Sequence, residues 1–271
     1  MSTVSTTTST ASIPGLKLVY YEDRRDRAEA MQRDGFVYFP AAISRDEVQE
    51  LRACSDRLTP IPEARDSAGP NGIKNIQNAF NRDPLYLEYL DKPGAIELVE
   101  DTLGEDCHII QMTQWNTGRR PDQDMHADWK PISLPDDVGL DPRVEIPPLI
   151  MTAHFYLNDM REELGPTRAI PGSHRAGQPP ARDATEWNGA PEQSILCAAG
   201  DAVVFRSDLW HRGGANHTEE TRYLLQVHYA NRWIAQRFTP LMHFHFSSDI
   251  LARATPRQRR LLGDHRTGPY A

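Results

Sequence analysis

The 271-residue sequence predicts a mainly β protein, a sandwich or barrel of short strands behind a helical N-terminal part. Three observations predict it. After about residue 106, short β-prone runs follow one another, broken by Pro- and Gly-rich stretches, with no helices between them. Before that point, apolar residues recur at helical spacing. Finally, all-β sandwiches and barrels often reach this length as one domain.

Residues 1–14 are rich in Ser and Thr, with neither a basic start nor an apolar block, so they read as a disordered leader and not as a secretory signal. Residues 15–271 read as a single domain: a helical part over about 15–105, a β core over about 106–247 and a tail over 248–271. Residues 22–35 are charged and close on Asp34-Gly35, a helix stopped by glycine. Phe36-Val37-Tyr38-Phe39 before Pro40 is a short strand. Ser44 with Glu47 three residues later forms a capping pattern, and Val48, Leu51 and Leu58 continue it as a helix over 45–58. Residues 59–72 read as a loop. Ile96, Leu98, Val99 and Leu103 give a helix over 91–103. Strands are expected at 107–115, 125–129, 149–157, 194–198, 201–206, 222–230 and 241–246. The loops at 116–124 and 130–148 hold six prolines and several acids, and loops of that size are often lids or binding walls.

Composition removes several function classes. A net charge of −8 argues against a nucleic-acid binder, which usually carries a basic face. No apolar run approaches the ~20 residues that cross a bilayer, so no membrane role is expected. Cys54, Cys107 and Cys197 form neither a metal knuckle nor a redox pair, which fits a reducing cytoplasm.

The chemistry concentrates in a few residues. In Met125-His126-Ala127-Asp128-Trp129, strand alternation would turn His126 and Asp128 to one side. An imidazole and a carboxylate so placed are two thirds of a two-His-one-carboxylate facial triad, the site of non-haem Fe(II). His-x-Asp alone equally suits a polar pair on a surface loop. A second histidine, His211, stands where the Gly200–Phe205 turn and strand gives out, 83 residues after Asp128, so only a folded barrel would bring them together. Arg222 opens the next strand and shares a face with Leu224, Gln226 and His228. An arginine inside a barrel needs an anion, and a guanidinium is shaped for a carboxylate.

In this arrangement the chain resembles the phytanoyl-CoA dioxygenase family of Fe(II)/2-oxoglutarate oxygenases. The residues carrying the resemblance are Asp34-Gly35-Phe36-Val37, His126-Ala127-Asp128, the run Gly165-Pro166-Thr167-Arg168-Ala169-Ile170-Pro171-Gly172-Ser173-His174-Arg175, Gly200-Asp201, and Trp210-His211 with Arg222. They stand in family order and span most of residues 25–230. The resemblance implies a double-stranded β-helix, a cupin-like jelly roll with helices packed outside. It implies that His126, Asp128 and His211 ligate iron and that Arg222 holds the distal carboxylate of 2-oxoglutarate. A hydroxyl two residues after the distal histidine often assists that carboxylate; Gly213 stands there instead. Gln111 and Thr113 match positions that often contact the co-substrate. His154 matches more loosely, and is equally a core histidine.

Other residues divide between function and packing. Trp115, Trp129 and Lys130 suit the substrate cavity or the core, and Asn75, Gln77 and Asn78 suit part of the pocket or a solvated loop. His243 and His245 alternate without an acidic partner and read as structural or substrate-side, and His174 as ordering a turn. His108 and His228 carry no motif.

The chemistry implied by the resemblance is oxidation of a substrate C–H, most simply hydroxylation, with O2 consumed and succinate and CO2 released from 2-oxoglutarate. Halogenating relatives have a small residue where Asp128 stands, so halogenation is disfavoured. Desaturation, epoxidation, ring oxidation and acyl-CoA hydroxylation use the same cofactors. A barrel that only binds a metal or metabolite, and a metal-independent sugar-binding jelly roll, are the readings of another class. The partner expected is a small molecule. Few lysines and the acidic residues Asp122, Asp124, Asp136, Asp137 and Asp141 favour a neutral or cationic specialised metabolite, such as an amine-bearing antibiotic intermediate. Oligomeric state has no signature in the sequence.

Overall fold

The structure, a computed structural model, describes residues 13–69, 73–129, 134–135, 138, 141, 143–238 and 244–265. Helix α1 (Arg24–Asp34) begins on Asp23, whose carboxylate accepts from Arg25 and Asp26 N–H, and ends on Gly35 at φ 84°. That left-handed geometry suits glycine, and a Cβ there would also meet the His174 ring at 2.6 Å. Strand β1 (Phe36–Phe39) follows, then α2 (Arg45–Arg57), which starts with the expected capping box between Ser44 and Glu47. The predicted loop at 59–72 contains a 3-10 turn and β2 (Ser67–Ala68), which pairs with β3 (Lys74–Gln77). Helix α3 (Ala95–Leu103) is shorter than expected, because Pro93 and Gly94, the latter at φ 84°, form a turn before it.

The β core is two antiparallel sheets. Strands β4 (His108–Thr117), β5 (Ile150–Tyr156), β10 (Ala202–Arg206) and β12 (Arg222–Ala230) join β1–β3 in a seven-stranded sheet of order β1-β10-β5-β12-β4-β3-β2. Strands β6 (Thr167–Ala169), β9 (Gln193–Ser194) and β11 (His211–Gly213) form a second sheet of order β11-β6-β9. A small hairpin, β7 (Glu186–Trp187) with β8 (Ala190–Pro191), stands apart. This is the jelly roll that the resemblance implied.

Alternation sorts the larger sheet into two faces. The odd residues of β10 and the even residues of β5 and β12 turn inward, where Tyr156, Val203, Phe205 and Leu224 pack with Leu164, Ala169 and Leu209. Ala153, Phe155, Val204, Leu225 and Val227 turn outward, against Met31 of α1, Leu51 of α2, Val99 of α3 and Leu261 near the C terminus. Helices therefore seal the outer face, and the polar inner residues face the cavity between the sheets.

Three expected strands differ. The run 125–129 is reduced to one bridge between His126 and His211, because the Met125 and Trp129 N–H groups donate instead to the Arg182 and Ser207 carbonyls. Of 194–198, Ser194 is paired, while Ala198 N–H binds the Asp201 carboxylate in a turn. Of 241–246, residues 241–243 lie outside the described residues, and Phe244 and Phe246 are irregular, packed on Phe238 and Phe80. Much of the 130–148 loop, with Lys130, Asp136 and Asp137, also lies outside them, as does His243. Among the described residues, no helix is long and apolar enough to cross a membrane.

Candidate metal and co-substrate site

His126, Asp128 and His211 converge. Their ligand atoms all lie within 4.8 Å of one another, and among the described residues they are the group of three able to hold a metal ion. Asp128 Oδ1 lies 3.8 Å from His126 Nε2 and 3.7 Å from His211 Nε2. Each ring is oriented the same way. His126 Nδ1 meets the Asp124 carbonyl at 2.8 Å and His211 Nδ1 meets the Leu209 carbonyl at 2.9 Å. A carbonyl only accepts, so each imidazole carries its proton on Nδ1 and turns a bare Nε2 to the shared point. Fixing the tautomer through the distal nitrogen is how metal-binding histidines are usually held.

The electrostatics suit a cation. Burial works to raise the Asp128 carboxyl, yet the imidazoles of His211, His228 and His126 hold it below its ordinary value. Burial lowers His211, only partly opposed by Asp128, so it stays a neutral donor. Two imidazoles and one carboxylate are the donor set of a non-haem Fe(II) centre with open positions.

Arg222 opens β12 beside the same cavity. Its Nη1 donates to the Gly165 carbonyl, while its buried Nε has no hydrogen-bond partner. Burial lowers its pKa to about 10. A buried cation with an unmet donor calls for an anion. Gly165 sits at φ 76°, where a Cβ would lie 2.5 Å from the Gly214 carbonyl, so glycine is required for the close approach that aims its carbonyl. At Gly213 a Cβ would lie 2.6 Å from Gln123 Oε1 and 3.6 Å from Arg222 Nη2. The Gln123 amide, which accepts from Gly213 N–H at 2.9 Å, occupies the space a hydroxyl-bearing side chain would need.

A polar stripe crosses the inner face. Trp115 Nε1 donates to Gln226 Oε1 at 2.7 Å, and Gln226 Nε2 contacts His154 Nε2 at 2.9 Å. Indole N–H only donates, so it fixes the Gln226 amide; that amide then donates to His154 Nε2 and leaves the His154 proton on Nδ1. His154 Nδ1 is buried without a partner, and burial holds the ring's pKa well below the ordinary value. Its ring lies edge-on to Phe205 at 4.7 Å, and Phe205 lies 4.9 Å from His211. Gln111 donates to Gln77 and to Thr113 Oγ1. Asn75 and Gln77 are not a solvated loop: they lie on β3, paired with Trp115 and Thr113.

Other expectations meet different surroundings. Asp122 is engaged, accepting from Arg168 at 3.1 Å and from Ala215 N–H at 2.6 Å. Asp124 pairs with Arg182 at 3.5 Å, and Asp141 accepts from Arg143. Trp129 packs on Ile110, Ile150 and Ala230. His245 is exposed; its carbonyl accepts from Asn81. His174 orders its turn through the Gln32 carbonyl. His228 was missed. It shares the inner face with Arg222, its Nδ1 meets Thr152 Oγ1 at 3.0 Å, and it acts electrostatically on Asp128. Strand alternation was the signal available. Arg237, also missed, donates to Gln111 Oε1 at 3.1 Å.

The profile of the phytanoyl-CoA dioxygenase family matches residues 31–224. The chain belongs to this family. It is 32% identical over 270 residues to dioxygenase trt7 of Aspergillus terreus (strain NIH 2624 / FGSC A1156), covering 91% of this chain and 87% of that one. Its fold is similar to that of HygX from Streptomyces hygroscopicus, crystallised with nickel and 2-oxoglutarate, with TM-score 0.63, 16% identity and coverage of 82% of this chain and 95% of HygX. It is similar too to the non-haem α-ketoglutarate-dependent epimerase SnoN from nogalamycin biosynthesis, with TM-score 0.59, 18% identity and coverage of 77% and 83%. The protein is an Fe(II)/2-oxoglutarate-dependent dioxygenase.

Proposed function

We propose that His126, Asp128 and His211 hold the iron, that Arg222 holds the distal carboxylate of 2-oxoglutarate, and that the enzyme hydroxylates a C–H of a small specialised metabolite, releasing succinate and CO2. The convergence of three ligand atoms within 4.8 Å, beside a buried arginine with an unmet donor, carries this reading. Iron with 2-oxoglutarate and O2 supplies the oxidant; the chain's own residues orient the ligands, neutralise the distal carboxylate and line the cavity. Gln111, Thr113 and His154 are proposed to face the co-substrate side of the cavity, and Trp115, Gln77 and Asn75 the substrate side. A small-molecule substrate is in keeping with the similar folds of HygX, also crystallised with hygromycin B, and SnoN, crystallised with nogalamycin RO. SnoN is an epimerase, so a hydrogen-removal outcome without oxygen insertion is the second reading.

The substrate's charge is proposed differently from the sequence expectation. The described acids that would draw a cation are paired with arginines: Asp122, Asp124 and Asp141. A cavity of about 530 Å³ is lined by Arg65, Arg237 and the amides of Gln77, Asn78 and Gln111, with no carboxylate among the described residues that line it. It favours a substrate bearing an anionic or carbonyl-rich group.

Succinate formation tests the reading. Protein loaded anaerobically with Fe(II) and then given air and 2-oxoglutarate should form succinate, and His126→Ala should not. Equal succinate from both proteins would overturn it. Product mass then separates the two outcomes, one oxygen gained for hydroxylation against no gain for epimerisation.

A further inference from the structure

Arg222 has a neighbour whose side chain is also incompletely used. In the β5–β12 register Tyr156 stands opposite Leu224. Arg222, two residues along β12 on the same face, is therefore its diagonal neighbour. Tyr156 is 1% exposed and its hydroxyl has no hydrogen-bond partner. Thr167 faces it from β6 without reaching hydrogen-bond geometry. Arg222 Nε, also buried, lacks a partner as well. Buried polar atoms are nearly always paired, so two orphans side by side mark a place completed by something else. Position 213, where a hydroxyl would reach the same point, has no side chain, and Gln123 fills its space.

We propose that Tyr156 donates its hydroxyl hydrogen to the distal carboxylate of the 2-oxoacid held by Arg222, replacing the hydroxyl that Gly213 cannot supply. A phenol O–H is a donor of the right kind: it is held rigidly by the strand, and it stays protonated because burial pushes its pKa up. A carboxylate there accepts from the guanidinium and the phenol together. The proposal rests on the assignment of Arg222 to that carboxylate.

The test uses the full chain loaded with Ni(II), which permits binding without turnover, titrated calorimetrically with 2-oxoglutarate and with 2-oxobutyrate. The second acid keeps the 2-oxo carboxylate end and lacks the distal carboxylate. Tyr156→Phe should weaken 2-oxoglutarate by about tenfold, the scale of one hydrogen bond to a charged group. It should leave 2-oxobutyrate within about twofold, which also reports that the site is folded. Loss of both affinities in equal measure, or of neither, overturns the proposal. A wild-type preference for 2-oxoglutarate that Arg222→Met abolishes and Tyr156→Phe leaves untouched refutes Tyr156 alone. A wild type that binds both acids alike refutes Arg222 as well.

Discussion

His126 and His211 exchange both of their backbone hydrogen bonds, His126 N to His211 O at 3.0 Å and His211 N to His126 O at 2.8 Å. Their rings stand 4.5 Å apart. Residues 85 positions apart in sequence are thus set opposite each other by main-chain pairing, before any metal acts on them. Because the pairing is main-chain, the scaffold should outlast the loss of a ring. His211→Ala is expected to lower Ni(II) or Fe(II) affinity by more than about 100-fold. Its unfolding midpoint without metal should stay within a few degrees of wild type. Calorimetric metal titration and a thermal melt of the same samples check both; a collapse of the apo melt would show that the ring itself holds the two segments together.

Arg222 sets stability against function. Its guanidinium is buried, one donor is unmet, and its pKa is pulled down to about 10 by that burial. Without its anion this is a cost, of the order of 3 kcal/mol for a shift of that size. Arg222→Met, of similar length, should leave the apo protein as stable as wild type or more so. The variant should also lose the melting-temperature increase that 2-oxoglutarate gives the metal-loaded wild type. Denaturation with and without 2-oxoglutarate measures both halves. A variant that is less stable without ligand, yet still stabilised by it, would sink the assignment.

What the sequence revealed and what it hid have physical causes. Ser44 with Glu47 and Gly35 act locally, so their helices were legible within a few residues. The faces of β12 followed from alternation, which correctly placed Arg222, Gln226 and His228 together. Strands β6 and β11 were hidden because three-residue strands carry no periodicity; they exist through long-range pairing such as His211 with Ala169. The pairing of the acidic residues Asp122 and Asp124 was hidden for the same reason. Asp122 looks free in sequence, and its engagement depends on Arg168 and Ala215, distant residues that only the fold brings near.

The Trp115–Gln226–His154 chain predicts a tautomer. Trp115 Nε1–H fixes the Gln226 amide, which donates to His154 Nε2, so the proton belongs on Nδ1. Nitrogen-15 NMR of histidine-labelled protein should show one neutral ring, assigned by its absence in His154→Gln, protonated at Nδ1 at pH 7. Trp115→Phe removes the donor that fixes the amide. The His154 signal should then move toward a mixture of tautomers, with the melt nearly unchanged. An Nε2–H signal in the wild type would overturn the chain of inference.

His174 predicts a pH dependence. Its ring is 3% exposed beneath Gly35, and burial, helped by the charge of Arg206, lowers its pKa to about 3. Its Nε2 donates to the Gln32 carbonyl at 3.1 Å, so it is held neutral. A histidine whose folded pKa is depressed binds its proton more readily in the unfolded chain. Its contribution is therefore fully present above about pH 6.5, the unfolded value, and is lost progressively as the pH falls toward 3. Between pH 7 and pH 5 the loss from this residue is about 2 kcal/mol. His174→Gln keeps a donor for the Gln32 carbonyl and cannot titrate. Urea denaturation of both proteins at the two pH values should find the wild type's stability advantage smaller by about that amount at pH 5. The other buried histidines, His154 and His228 among them, remain in both proteins and cancel in the comparison. An advantage that stays constant between the two pH values would mean that His174 is not held neutral by its surroundings.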